Sequence, residues 1–207
     1  SEETELIKNQ YFNSLAWADS LAKDFCDHLK SIGQYDDSIV VFTGDHGEEF
    51  QDHGGWLHVS SLEDEQVKVP MLIKWPKSIG RGPEVAEASH LDLMPSLLHH
   101  MLDGATPLDT AGVSLLSSPP ARTSIATTAQ GGITKEAMLL TREGYKAFFT
   151  WPHYFDGRPG TELTLTRLIG PEGDIEFTSH EEYDAALKSY FPDAFERFFE
   201  SFELKIK

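Results

Sequence analysis

Apolar residues recur through the first 32 positions at steps close to three and four: Leu6, Phe12, Leu15, Leu21, Ala22, Phe25, Leu29 and Ile32. That spacing predicts one long helix, stopped by Gly33 as a left-handed terminal glycine. Asp36-Asp37-Ser38 reads as a turn, and Ile39 to Phe42 then runs apolar without alternation, the pattern of a strand buried on both faces. Residues 47 to 66 are polar and read as a loop. Val67 to Trp75 reads as a second strand, with Pro70 near its start, where a missing N–H is tolerable. After a Gly/Pro-containing connection over 77–88, Ser89-x-x-Asp92 is a capping-box start for a helix through about Leu102. Leu91, Met94, Leu97, Leu98 and Met101 share one face of it, while Pro95 fits it imperfectly.

Residues 103 to 121 read as loop, and the period then changes. Short strands are predicted over Thr123–Thr128, Ala137–Arg142, Tyr145–Trp151 and Glu162–Leu168, with Gly144 closing a tight hairpin. Helices follow over 179–190 and 193–204. The picture is helix, strand, loop, strand, helix, then a small antiparallel sheet with terminal helices. A start on a helix rather than a strand leads us to expect further sequence upstream.

Composition narrows the partners. Of 207 residues, 40% are hydrophobic, enough for a real core. Seventeen Lys and Arg against 34 Asp and Glu give a net charge of −17, which repels nucleic-acid backbones and anionic membranes. An acidic surface also repels anionic substrates, so a site for one requires cations or aimed dipoles. A single Cys, Cys26, excludes an internal disulfide and any cysteine-rich zinc module. Its place in the first helix predicts a buried, small apolar role. No apolar run is long enough to span a bilayer, and Ser1-Glu2-Glu3-Thr4-Glu5 is the reverse of a basic leader.

The chemistry concentrates between Thr43 and His58. Asp45, His46, Glu48, Glu49, Asp52, His53 and His58 fall there, three of the nine histidines among them. The stretch starts where a buried strand ends, the place where ligands bind in open α/β sheets. Gly44 and Gly47 bracket Asp45-His46 and let the backbone turn. Carboxylate oxygen and neutral imidazole nitrogen both ligate divalent ions. The alternative is a polar loop of solvated charges, which is the reading for Glu49 and Asp52; Glu48 reads as a residue supporting ligands or starting a helix. Tyr154, His153 and Arg158 could line a pocket but read as ordinary loop residues.

Val40 to Glu48, Val-Val-Phe-Thr-Gly-Asp-His-Gly-Glu, resembles the C-terminal metal-site motif of the sulfatases, shared with the phosphoethanolamine and phosphoglycerol transferases of the alkaline phosphatase superfamily. Asp52-His53-Gly54 resembles the Glu-His-Gly of sulfatases. Leu57-His58 stands where the transferases carry Leu-His and many sulfatases a Lys or His. Ser61 to Glu65 with Val69 to Pro76, Ser89 to Leu98, and the helix over Tyr11 to Leu29 resemble further family segments in the same order. The resemblance covers about residues 10 to 116.

The resemblance implies an α/β fold: the C-terminal part of an alkaline-phosphatase-like domain, with mainly parallel strands flanked by helices plus a small antiparallel C-terminal sheet. Residues 1–120 would form the C-terminal half of the catalytic domain, and 121–207 the small sheet with terminal helices, in the same structural unit. Asp45 and His46 would be metal ligands, for calcium in a sulfatase or for zinc, manganese or magnesium in a transferase. His58 would face the sulfate or phosphate group as hydrogen-bond donor or leaving-group acid, and His53 would contact substrate or support the loop. Ser89 and Asp92 would cap a helix. The family's nucleophile, a Cys or Ser in a Pro-Arg context or a Thr, has no match in this chain, and Cys26 lacks that context. The implied function is a metal-dependent ester hydrolase, inactive as these 207 residues alone. The alternatives are a transferase, or a member retained for binding or sensing. A periplasmic, membrane-anchored or extracellular site, membrane contact only through upstream segments, and an unusually apolar surface or oligomerisation over an exposed sheet edge complete the expectations.

Overall fold

The structure is a computed structural model, and it describes residues 2–58, 60–85, 87–104, 112–117, 122–128, 137–150, 162–194, 199, 200, 203, 205 and 206. The chain forms two compact units, Ser1–His58 with Asp64–Pro119, and Val59–Glu63 with Pro120–Lys207. His153, Tyr154 and Arg158, read as ordinary loop residues that could line a pocket, lie outside the described residues.

The first unit opens on helix α1, Glu2–Ser31. Glu2, Glu3 and Glu5 in its first turn and His28 and Lys30 in its last complement the helix dipole. Gly33, at φ 71°, ends it in a Schellman motif: Gln34 N–H donates to the Leu29 carbonyl at 2.9 Å and Gly33 N–H to that of Lys30 at 3.1 Å. The N-terminal half of α1 is anchored through Tyr11, whose ring lies 5.2 Å from that of Phe50, and Lys8, which pairs with Asp52 at 3.4 Å. Much of its apolar stripe stays in water: Leu6, Phe12, Leu15, Trp17, Leu21, Phe25 and Ile32 are all exposed. Cys26, expected to be buried, is half-buried on this open helix.

Strand β1, Val40–Thr43, pairs with the last strand of this unit. Between them come β2 (Glu49–Phe50), β3 (Trp56–Leu57) and the single helical turn α2 (Asp64–Val67). The partner strand is β4, Met71–Lys74, in antiparallel register from Val40↔Lys74 to Thr43↔Met71. Three expectations change here. The mainly parallel arrangement does not extend to this pair, because the connection folds as a hairpin and one turn rather than a crossover helix, and returns the chain to the end of β1 where it left. The second strand starts at Met71 instead of Val67, since Val67 closes α2. Of β1 only Val40 is buried, and Leu72 opposite Phe42 is exposed, so the pair is not covered on both faces.

A 3₁₀ turn, His90–Asp92, leads into α3, Leu93–Met101. The capping box is present: Ser89 Oγ accepts from Leu91 N–H while Asp92 accepts from Ser89 N–H. Asp92 is fully buried and also accepts from Val113 N–H at 2.9 Å. Because α3 begins at Leu93, Pro95 stands in its first turn, where an N–H would have no helical partner anyway. Pro95 and Ser96 are the buried positions, and Leu91, Met94 and Met101 are exposed.

The second unit is a six-stranded sheet in the order β10-β8-β7-β6-β5, with β9 pairing β8. Its strands are β5 (Ser124–Thr128), β6 (Ala137–Arg142), β7 (Tyr145–Thr150), β8 (Glu162–Gly170), β9 (Gly173–Asp174) and β10 (Lys205–Ile206). All pairs are antiparallel except β10 with β8. Glu143 and Gly144, both at positive φ, make the tight β6–β7 turn. A bulge opposite Phe148 and Phe149 shifts the inward phase of β8, so Leu163 and Leu168 both reach the core despite their odd spacing. Helix α4, His180–Tyr190, supplies Leu187, and the short α5, Pro192–Ala194, follows Phe191; these pack with Ala147, Phe149 and Phe199. Of the helix expected over 193–204, residues 193, 194, 199, 200 and 203 are described, the first two within α5.

Candidate metal centre

The connection from β1 to β4 holds every candidate residue. Gly44, Asp45 and His46 leave the sheet at the carboxyl end of β1. At Gly47 the backbone passes so close to α2 that a Cβ would stand 2.1 Å from the Glu65 carbonyl oxygen, while its N–H donates to the Gln66 carbonyl at 2.8 Å. Glycine alone allows that approach. The β2–β3 hairpin then returns the chain, and His58 comes back against His46: the two rings stack with centroids 4.0 Å apart and planes at 27°. Leu57, directly before His58, sits at φ 63°, a conformation that a branched residue holds only when its surroundings impose it.

Glu49 imposes much of this order. Its sequence context, a polar loop, suggests a solvated charge, yet it is fully buried. One carboxylate oxygen accepts from the N–H groups of His53 at 3.0 Å and Gly55 at 2.8 Å, and the other from Gln66 Nε2 at 2.7 Å. Nothing in the local sequence marks Glu49 as inward, because an acidic residue in a polar loop carries no burial pattern. Asp52 stays exposed, as read, while accepting from Phe50 N–H at 3.1 Å; that amide, with Lys8, holds its carboxyl below the usual range.

Of the predicted site residues, the fold brings Asp45, His46 and His58 together. His46 Nδ1 lies 3.0 Å from the Gly47 carbonyl oxygen, so it donates there and leaves Nε2 as the free lone pair. Asp45 is 91% exposed, with a carboxylate oxygen 3.7 Å from that Nε2. Its carboxyl is held below the usual range first by its own backbone N–H, then by the neighbouring His46. His58 Nδ1 meets Glu48 Oε1 at 2.7 Å, and the chain continues into β2 at Glu49 rather than into a helix. His53 is turned to other partners, with Nε2 3.1 Å from Glu65. His90, read only as part of a helix-start motif, places Nε2 3.0 Å from Thr43 Oγ1 at the end of β1.

A divalent ion fits this donor set. Among the described residues, His46, Glu48 and His58 offer donor atoms that all lie within 4.8 Å of one another. Glu48 is mostly buried, and its Oε2 has no hydrogen-bond partner. A buried carboxylate oxygen left without a donor is costly unless a cation covers it.

A family model described as Sulfatase matches residues 2–104. Over 114 residues the chain is 27% identical to the choline-sulfatase of Rhizobium meliloti (strain 1021), covering 55% of this chain and 20% of that protein. Over 98 residues it is 28% identical to lipoteichoic acid synthase 1 of Bacillus subtilis (strain 168), covering 44% of this chain and 15% of that one. The chain therefore spans about a fifth or less of these curated relatives. In three dimensions it is similar to the solved structure of BT4656 in complex with its substrate D-glucosamine-2-N,6-O-disulfate, with a TM-score of 0.60 at 16% identity, over 87% of this chain and 38% of that one.

Proposed function

Because this chain belongs to the sulfatase/alkaline phosphatase superfamily, we propose that it supplies part of the metal centre of an enzyme that cleaves a sulfate ester. The observation that carries this reading is the meeting of Asp45, His46 and His58 at the end of β1, inside the segment that the Sulfatase model matches. Asp45 and His46 hold a divalent ion, calcium for a sulfatase. Such an ion supplies Lewis-acid polarisation of the ester oxygen and of the attacking group. Gly47 turns His46 so that Nε2 is the ligand nitrogen. His58, its Nδ1 engaged by Glu48, keeps Nε2 for the ester or its leaving oxygen. His53, paired with Glu65, supports the loop. The nucleophile comes from outside these 207 residues, so the chain alone turns over no ester.

A second reading, transfer of a phosphoglycerol or phosphoethanolamine group with zinc, manganese or magnesium, is favoured by Leu57-His58 and by the similarity to lipoteichoic acid synthase 1. Assay of a longer protein containing this segment, with aryl sulfate and aryl phosphate esters, separates the two. Metal-dependent sulfate release that falls at least about a hundredfold in Asp45→Ala and His46→Ala is expected. Metal-dependent phosphate chemistry alone moves the assignment to the transferases. Hydrolysis untouched by both substitutions overturns the site.

A further inference from the structure

We infer that His90 is a positioning residue for Asp45, acting through the Thr43 hydroxyl on the peptide bond that joins Gly44 to Asp45. This role rests on the reading of Asp45 as a metal ligand, and it brings to the site a residue from outside the loop after β1.

The Asp45 side chain is 91% exposed, so packing does not orient it. Its carboxylate turns back on the backbone instead, toward its own N–H and that of His46, which donates at 3.1 Å. The Asp45 N–H and the Gly44 carbonyl are opposite ends of one planar peptide unit. Whatever fixes that plane therefore fixes the direction in which the carboxylate is presented.

The carbonyl end of the plane has a holder. Thr43 Oγ1 donates to the Gly44 carbonyl at 3.2 Å, and the same oxygen lies 3.0 Å from His90 Nε2. A hydroxyl has one proton to give. With that proton on the Gly44 carbonyl, Thr43 accepts from His90, and His90 carries hydrogen on Nε2. The chain of donors runs from the imidazole through the hydroxyl to the carbonyl, each bond polarising the next.

His90 is itself held from behind. Ser89 N–H donates to Asp92 at 2.8 Å, Leu91 N–H to Ser89 Oγ at 3.3 Å, and Leu93 N–H to the His90 carbonyl. Asp92 is fully buried and also accepts from Val113 N–H at 2.9 Å. The capping box thus locks the backbone on both sides of His90. An exposed imidazole can then reach the end of β1 with little further loss of freedom. Hydrogen bonds among exposed groups add little to stability, so the effect of this pair falls on the ligand it orients.

The test uses His90→Ala, Thr43→Val and Thr43→Ser in a longer protein containing this segment, with calcium and with zinc titrated calorimetrically into the metal-free protein. Residues that hold a metal ligand in place are worth about ten- to a hundredfold in metal affinity. The expected result is a Kd raised at least about tenfold in His90→Ala and in Thr43→Val, with no further rise in the double variant. Thr43→Ser keeps the hydroxyl and is expected to bind like wild type. In the metal-free 207-residue chain, the Asp45 amide resonance is expected to move in His90→Ala and Thr43→Val and to stay in Thr43→Ser. A merely stabilising contact would not move it. Should His90→Ala disturb the start of the helix, Thr43→Val decides, because it leaves the capping box untouched. Wild-type affinity or an unmoved Asp45 resonance in Thr43→Val overturns the inference, as do additive losses in the double variant. If Asp45→Ala weakens binding while the His90 and Thr43 variants do not, the metal centre stands without His90. If no saturable binding occurs, or Asp45→Ala leaves it unchanged, both fall.

Discussion

Glu49 and Glu48 adjoin in sequence and have opposite fates. Glu49 is fully enclosed and accepts from His53, Gly55 and Gln66, so it acts as the internal template of the hairpin. Glu49→Ala removes three hydrogen bonds from a fully buried position and leaves a cavity there, and we expect a loss of about 3 kcal/mol in the urea unfolding of the first unit. A loss within about 0.5 kcal/mol would show the three contacts to be incidental. Gly47→Ala meets the Glu65 carbonyl oxygen directly. It should displace the loop and separate the His46 and His58 rings, readable as changed imidazole resonances of both by NMR; unchanged resonances would refute the close approach. At this scale the sequence showed Asp45, His46 and His58, because an Asp-His pair after a strand carries a recognisable chemistry. It did not show Glu49 or the Thr43–His90 contact, since burial of a loop acid and the meeting of residues 47 positions apart leave no local trace.

Elements were legible in proportion to the regularity of their signals. The termination of α1 at Gly33, the strands β5 and β6, and the turn at Gly144 follow from period and glycine placement. The start of β4 was not legible, because Val67 continues an apolar run while its backbone closes the turn of α2. Nor was the direction of β4, which depends on how the intervening loop folds. In the second unit Asp193 joins α5 to Thr123, just before β5, and to β6: it accepts from Thr123 N–H at 2.7 Å, Thr123 Oγ1 at 2.6 Å and Arg142 at 2.7 Å. Partial burial pushes its carboxyl up, but these donors together hold it below the usual range. A depressed carboxyl contributes stability that is present above its ordinary pKa and lost as pH falls through the lowered value. We therefore expect Asp193→Asn to be less stable than wild type near neutrality, with a shallower loss on acidification. Acid unfolding curves of equal slope would contradict this.

For the whole molecule, the net charge of −17 first looked hostile to an anionic substrate. It argues against nucleic acid still, yet an ion held by Asp45 and its neighbours would reverse the field where an ester binds. Among the described residues no helix is long and apolar enough to cross a membrane. The apolar row along α1, with Trp17 67% and Phe12 58% exposed, is more than isolated surface hydrophobics account for. The 207-residue chain should self-associate through it. Sedimentation velocity is expected to show an average mass rising with concentration for wild type and reduced in Phe12→Ser/Phe25→Ser; a monomer at all concentrations would contradict the prediction.

The central claim is that the loop after β1 binds a divalent ion through Asp45 and His46. Thermal unfolding of the protein, stripped with chelator and then supplied with calcium or zinc at about a hundred times Kd, tests it most directly. A rise in Tm of about 5 °C or more is predicted, abolished in Asp45→Ala and His46→Ala. A Tm that ignores the metal, or a rise that survives both substitutions, would contradict the account.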